Sequence, residues 1–225
     1  MFLGSFGPVL HMASGPGQIL AANITHEVGS DASGTTSITK AATIPATCKM
    51  VIVFHHMVDN DTASATSDSC TVGGEATTAL TARNGTQSNN MGLVKAYYKK
   101  NPLTGSQNII CNSSNVDTQN LTAVYIGVAV DYAVEYGQTF TGSTTSDDLA
   151  PTTTEALCLI EGFTKYNSEA IGISGGGTEL HDTAVGSGQF TAAYLIQSAA
   201  GAASFARSWS TNSWGGHAAV GLIVL

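Results

Sequence analysis

His55 and His56 stand side by side, with Asp59 and Asp61 just beyond them, and imidazole together with carboxylate is the ligand chemistry of a zinc-type centre. Neighbouring residues of a strand point to opposite faces, so a single ion could not easily draw on both rings. Asp59-Asn60-Asp61 offers oxygen ligands to a hard cation such as calcium, but the glycine and distal glutamate of an EF-hand are missing, and a solvated turn is the expectation. Asp147, Asp148 and Glu155 are the carboxylates from which a glycoside hydrolase would need a pair at fixed separation; in a Thr/Ser-rich stretch they read as ordinary surface acids. There is no GxSxG. Ser174-Gly175-Gly176-Gly177 has no orienting His/Asp pair beside it and lacks the Lys-Ser/Thr of a phosphate-binding loop, and His181-Asp182 stands without a nucleophile. The expectation is a chain with no catalytic residue, no metal site and no cofactor.

Four cysteines, Cys48, Cys70, Cys111 and Cys158, lie far apart without metal-ligand spacing, and four buried thiols are expected. A Cys48–Cys70 bridge is conceivable, since the two could sit on adjacent strands joined by the intervening loop, but it is not the expectation. Tyr97, Tyr98, Tyr125, Trp209 and Trp214 could stack on the apolar faces of sugar rings, although core packing is the commoner fate of such residues. Trp214, in the turn-like Asn212-Ser213-Trp214-Gly215-Gly216, is the one expected to be most exposed. Trp209, Trp214, Tyr97 and Tyr98 are therefore the candidate contacts to a ligand or partner.

The elements that must position these residues read as strands. Charged residues make up only 11% of the chain against 43% hydrophobic, where soluble domains carry roughly 25% charged. Thr, Ser, Asn and Gly cover the surface instead, and these suit turns and strands better than helices. Runs rich in β-branched and aromatic residues recur between Gly, Asn, Asp, Ser or Pro. Residues 49–58 (KMVIVFHHMV) are so continuously apolar that burial on both faces is expected, and residues 216–225 (GHAAVGLIVL) read as a central closing strand. In residues 92–99 (GLVKAYYK), Leu93, Lys95 and Tyr97 should face one way and Val94, Ala96 and Tyr98 the other. Residues 139–154 read as a polar interruption, and 155–166 is ambiguous between strand and helix. Residues 1–34 hold Gly7-Pro8 and Gly15-Pro16-Gly17 and read as an extended arm, with Phe2, Leu3, Phe6 and Leu10 as candidate docking residues. The fold expected is all-β, a β-sandwich or jelly-roll-like domain over 35–225 preceded by that arm.

A net charge of −8 with only 8 Lys plus Arg leaves no basic face for a phosphate backbone, so nucleic acid is not an expected partner. No stretch reaches the ~20 apolar residues that span a bilayer, and Met1-Phe2-Leu3-Gly4 lacks the basic start of a secretory signal, so no membrane partner is expected either.

Three pieces in order, Val72-Gly73-Gly74-Glu75-Ala76, residues 93–105 (LVKAYYKKNPLTG) and residues 209–225 (WSTNSWGGHAAVGLIVL), resemble a loose group of phage and prophage virion-associated β-sandwich proteins. Thr71 stands where that group often has an aromatic, and the strand after the turn reads Gln107-Asn108-Ile109-Ile110, which leaves the subfamily open. The resemblance implies a structural role in the virion, as head decoration, cement or a tail or fibre component. It implies copies of the chain and other virion proteins as partners, and carries over no catalytic residue. The alternative is a carbohydrate-binding or receptor-binding adhesin that takes a surface glycan through its aromatic residues.

Overall fold

The computed structural model describes residues 19–31 and 33–225. After a single helical turn at Ala21–Asn23, the first half of the chain forms β1 (Ile24–Asp31), β2 (Ser37–Ile44), β3 (Met50–Asp59), β4 (Thr66–Val72), β5 (Glu75–Ala76), β6 (Thr78–Ala79), β7 (Arg83–Gln87), β8 (Asn90–Lys100), β9 (Gly105–Ser114) and β10 (Thr118–Ile126). The second half forms β11 (Val130–Leu149), β12 (Thr152–Thr153), β13 (Cys158–Tyr166), β14 (Gly172–Ser174), β15 (Thr178–Val185), β16 (Gly188–Ile196), β17 (Gly201–Ala202) and β18 (Phe205–Val224). The all-β expectation holds. No helix among the described residues is long and apolar enough to cross a membrane.

Three large antiparallel sheets stack face to face. The middle one runs β1-β10-β3-β8-β6, with β7 also on β8; one outer sheet runs β2-β9-β4-β5; the other runs β11-β18-β13-β16-β15, with β14 on β18. Strand alternation assigns the side chains. From the middle sheet, Met50, Ile52, Phe54, Val94, Ala96 and Val124 pack against Cys158, Ile160, Ala218, Val220 and Leu222 of the second half. On its other face, Val51, Val53, Tyr97, Leu121 and Ala123 pack against Ile38, Ile44, Val72, Ile109 and Cys111. Every residue of β3 is buried, as a strand covered on both sides must be, which is what the uninterrupted apolar run of 49–58 anticipates. Likewise β18 is flanked by β11 on one side and β13 on the other.

Two expectations change. The stretch read as an arm over 1–34 includes β1, which pairs residue for residue with β10 from Ile24↔Ile126 to Asp31↔Gln119 and belongs to the middle sheet. Phe2, Leu3, Phe6 and Leu10 lie outside the described residues. The polar stretch 139–154 does not interrupt the sheet: most of it continues β11, whose partner β18 is equally long. Polar residues fit there because the ribbon leaves the regular ladder, with register shifts at Phe140/Thr144 and Thr144/Ser146. Between Thr144↔Ser213 and Ser146↔Ser208, β11 advances two residues and β18 five. Beyond that bulge the ribbon sets Leu149 and Phe205 over the outer face of the third sheet, against Leu159, Ala193 and Ala219. Residues 155–166, undecided from periodicity, contain β13, a nine-residue strand buried at all but its last position.

Glycine matters at two places. Gly73 and Gly74 both adopt positive φ, +60° and +79°, in the turn between β4 and β5, the backbone that a two-residue hairpin requires. Gly162 lies where the middle and third sheets meet, and a Cβ there would stand 2.5 Å from the ring of buried Phe54. Gly162→Ala is expected to lower stability by about 1–3 kcal/mol through overpacking, read as a fall in the chemical-denaturation midpoint; an unchanged midpoint would mean that the two sheets are not in this contact.

Candidate functional site

Four ionisable side chains converge on the third sheet, of which the sequence singles out only Asp147. On β13, odd-numbered side chains face away from the middle sheet and present Glu161; on β18 the same face presents His217; the bulged ribbon brings Arg207 and Asp147 over both. The Arg207 guanidinium donates to Glu161 Oε2, and Glu161 Oε1 lies 2.5 Å from His217 Nδ1. His217 Nε2 sits 3.1 Å from Asp147 Oδ2, within ion-pair range though not aligned for a hydrogen bond. Glu161 and His217 are fully buried and Arg207 is 1% exposed. Phe163 packs on His217 with ring centroids 4.5 Å apart and also underlies Arg207. Lys165, again fully buried, donates to the Asn167 carbonyl at 2.6 Å and lies over Trp209.

Burial alone would raise the Glu161 carboxyl, but Arg207 and His217 outweigh it and hold the group below its ordinary value. His217 runs the other way: burial would lower it, yet the facing carboxylates of Asp147 and Glu161 raise it. A histidine held between two carboxylates has the parts of a proton-transfer site. Glu161, Arg207 and His217 are sealed from solvent among the described residues, however, and Asp147 is only partly exposed. A cleft of about 410 Å³ is lined by Ile19, Leu157, Cys158, Ile196 and Leu222 with Glu155 among them, and touches none of the four. What the cluster does is pin β11, β13 and β18 together across the bulge.

The residues that the sequence singles out are placed as follows. His55 and His56 face opposite ways. His55 Nδ1 lies 2.8 Å from Ser67 Oγ and Nε2 lies 2.9 Å from Gln119 Oε1, between the middle sheet and the β2-β9-β4-β5 sheet. His56 meets Thr164 and Thr122 at the interface with the third sheet, where His181 reaches the same Thr122 hydroxyl at 2.6 Å and stacks on His26. Asp59, Asp61 and Asp117 do come together. Asp59, however, already accepts the N–H groups of Asp61, Thr62 and Ser64 and the Thr62 hydroxyl. Its burial would raise the carboxyl, but those bonds pull it down to about 2, so the group serves the loop that it caps. Asp148 accepts from Ser204 at 2.9 Å while Asp147 faces Gln138 and His217, and Glu155 is on the cleft; the three form no carboxylate pair.

The aromatic platform does not form. Trp214, expected to be the most exposed, is only 8% exposed and stacks on Tyr166 at 4.7 Å. Trp209 is buried against Phe140 and Phe163 and donates its Nε1–H to the Thr144 carbonyl. Tyr97 is buried on one face of β8, bonded to Ser67, while Tyr98 on the other face stacks on Tyr132. The turn-like glycines beside Trp214 are strand residues of β18, and their lack of side chains is what admits neighbouring backbone to the tryptophan's surroundings. All four cysteines are buried free thiols; Cys48 donates to the Met50 carbonyl rather than facing Cys70. A sequence signal for the missed cluster exists: Glu161, Arg207 and His217 are single ionisable residues inside otherwise apolar or small-residue runs (CLIEGF, SFARSW, GGHAAVG).

Comparison with protein-family models, with curated proteins and with solved structures finds no match.

Removing one partner of a buried ion pair strands the other. Arg207→Met should therefore cost about 3–5 kcal/mol, and the double change Glu161→Leu with Arg207→Met should recover part of that loss, both measured by chemical denaturation. A double variant no more stable than the single one would refute the coupling. Acid and alkali should act through different histidines. His55 and His181 are held by burial at about 4, below the ordinary 6.5, so the unfolded chain takes up protons first as pH falls. Their stabilisation is whole above pH 6.5 and is lost between 6.5 and about 4, by about 3 kcal/mol for fully buried His55. His217, being raised, contributes fully below 6.5 and loses that contribution as pH rises through its folded value. Stability measured against pH should show His55→Asn flattening the acid limb and His217→Asn the alkaline one.

Proposed function

We propose that this chain is a structural protein of a bacteriophage virion, a head decoration, cement or tail- or fibre-associated component that works by packing against copies of itself and other virion proteins. The observation that carries a packing role rather than a catalytic one is where the polar chemistry lies. Glu161, Arg207 and His217, the residues best arranged for proton transfer, are 0–1% exposed, and their bonds go to one another between β13 and two distant stretches of β18. The phage assignment rests on the three sequence pieces that resemble virion-associated sandwich proteins. Those pieces occupy framework positions: the β4–β5 hairpin turn, β8 with the turn into β9, and the closing half of β18. Val94 and Ala96 of the second piece and Ala218 and Val220 of the third share one core. Sparse surface charge supports the same reading, because neighbouring copies repel little on close approach. The adhesin reading loses its support, since three of the four aromatic residues it needs, Trp209, Trp214 and Tyr97, are buried.

Quantitative mass spectrometry of purified particles is expected to find the chain in fixed stoichiometry with the other virion proteins, at many copies for a head component and few for a tail one. Its absence from particles would end the proposal. For the docking role of residues 1–18, the deletion must stop before β1, because removing 24–31 would bare the edge of β10. A chain lacking 1–18 should keep its denaturation midpoint and fail to join particles; normal incorporation would remove those residues from the docking role.

A further inference from the structure

We infer that Cys70 and Cys111 are a built-in dithiol that oxidises to a cross-strand disulfide, closing the β4–β9 pair. The inference stands apart from the virion reading and rests on placement. Cys70 on β4 and Cys111 on β9 are directly opposed in the ladder, with Ser69↔Asn112 before them and Thr71↔Ile110 after. Opposed residues of an antiparallel pair have Cα atoms about 4.5–5.5 Å apart, inside the range a disulfide spans. Their side chains point to the same face, into the core shared with Val53, Tyr97 and Leu121. The Cys111 thiol donates to Cys70 Sγ across 2.7 Å. Neither of the other thiols has such a partner. Cys48 donates to the Met50 carbonyl, and Cys158 is opposed by Ile196 and Leu222 in the core on the far side of the middle sheet.

The chemistry balances with a low-molecular-weight disulfide such as glutathione disulfide as oxidant. One cysteine, as thiolate, attacks the oxidant and displaces one glutathione thiol; the second cysteine then attacks the mixed disulfide at the protein sulfur and displaces the other. The two cysteines lose two protons and two electrons, one S–S bond forms in the protein, one breaks in the oxidant, and two glutathione thiols are released. Both residues are at most 3% exposed, and burial and the facing Cys70 push the Cys111 thiol well above its ordinary value. Thiolate is therefore scarce in the closed sheet, and the reaction belongs to the chain as it folds or while the β2-β9-β4-β5 sheet is open.

The test is to unfold and reduce the full chain, refold it in a glutathione redox buffer, then alkylate in denaturant and map the peptides. Two of the four cysteines should escape alkylation, in a product lighter by two hydrogens, with Cys70 and Cys111 in one linked peptide pair. The double variant Cys48→Ser with Cys158→Ser should still hide two thiols, while Cys70→Ser should leave all three remaining thiols free. Four alkylated cysteines after refolding, or a link through Cys48 or Cys158, would overturn the inference.

Discussion

A central strand with no wet face is the constraint on which the rest of this protein depends. Each of the ten residues of β3 is buried, so every polar group the strand carries must find its partner inside the protein. The two histidines meet that demand in opposite directions. His55 is held by Ser67 and Gln119, and Gln119 passes the connection on to the Thr35 carbonyl. His56 is held by Thr164 and Thr122. Both rings are kept neutral by burial, and together they tie the middle sheet to each of its neighbours. What reads in the sequence as a metal-like pair is two separate fastenings, one per face.

The same demand is met at higher stakes on the outer side of the third sheet. A buried ion pair gains little stability over a well-packed apolar pair, but it penalises any arrangement in which one charge loses the other. Glu161 can satisfy both Arg207 and His217 only if β18 leaves its ladder at the bulge and lays its first half over β13. The cluster therefore fixes where the ribbon bends. Among the described residues Arg207 Nε and Nη1 find no hydrogen-bond partner, which marks the cluster as a geometric device whose hydrogen bonding is incomplete.

Legibility in the sequence followed local pattern. β3 and the closing half of β18 were readable because burial on both faces leaves an unbroken apolar run, and the faces of β8 because alternation is a local rule. β1 was not: ITHEVGSD is half polar, its outward positions are partly exposed, and only its pairing with β10, some ninety residues on, makes it a strand. The polar half of β11 was hidden for the same reason, its partner lying at 205–213. The charged cluster was legible only as isolated ionisable residues in apolar settings, since nothing local shows that 147, 161, 207 and 217 converge. Trp214 misled because two glycines and an asparagine signal a turn, whereas here the glycines lie in a strand where backbone passes close by.

The partition of strands along the chain has a consequence for how the protein comes into being. The middle sheet and the β2-β9-β4-β5 sheet are made entirely from residues before Gly127, and the third entirely from residues after it. On a ribosome the first two can close on each other while the third is still being synthesised. Until it arrives, Met50, Ile52, Phe54 and Val124 form an uncovered apolar surface on a sheet that has already set. The nascent half-molecule is thus an adhesive plate awaiting its own lid, and crowded synthesis of many copies makes capture of a neighbour's second half a direct competitor of the intramolecular closure.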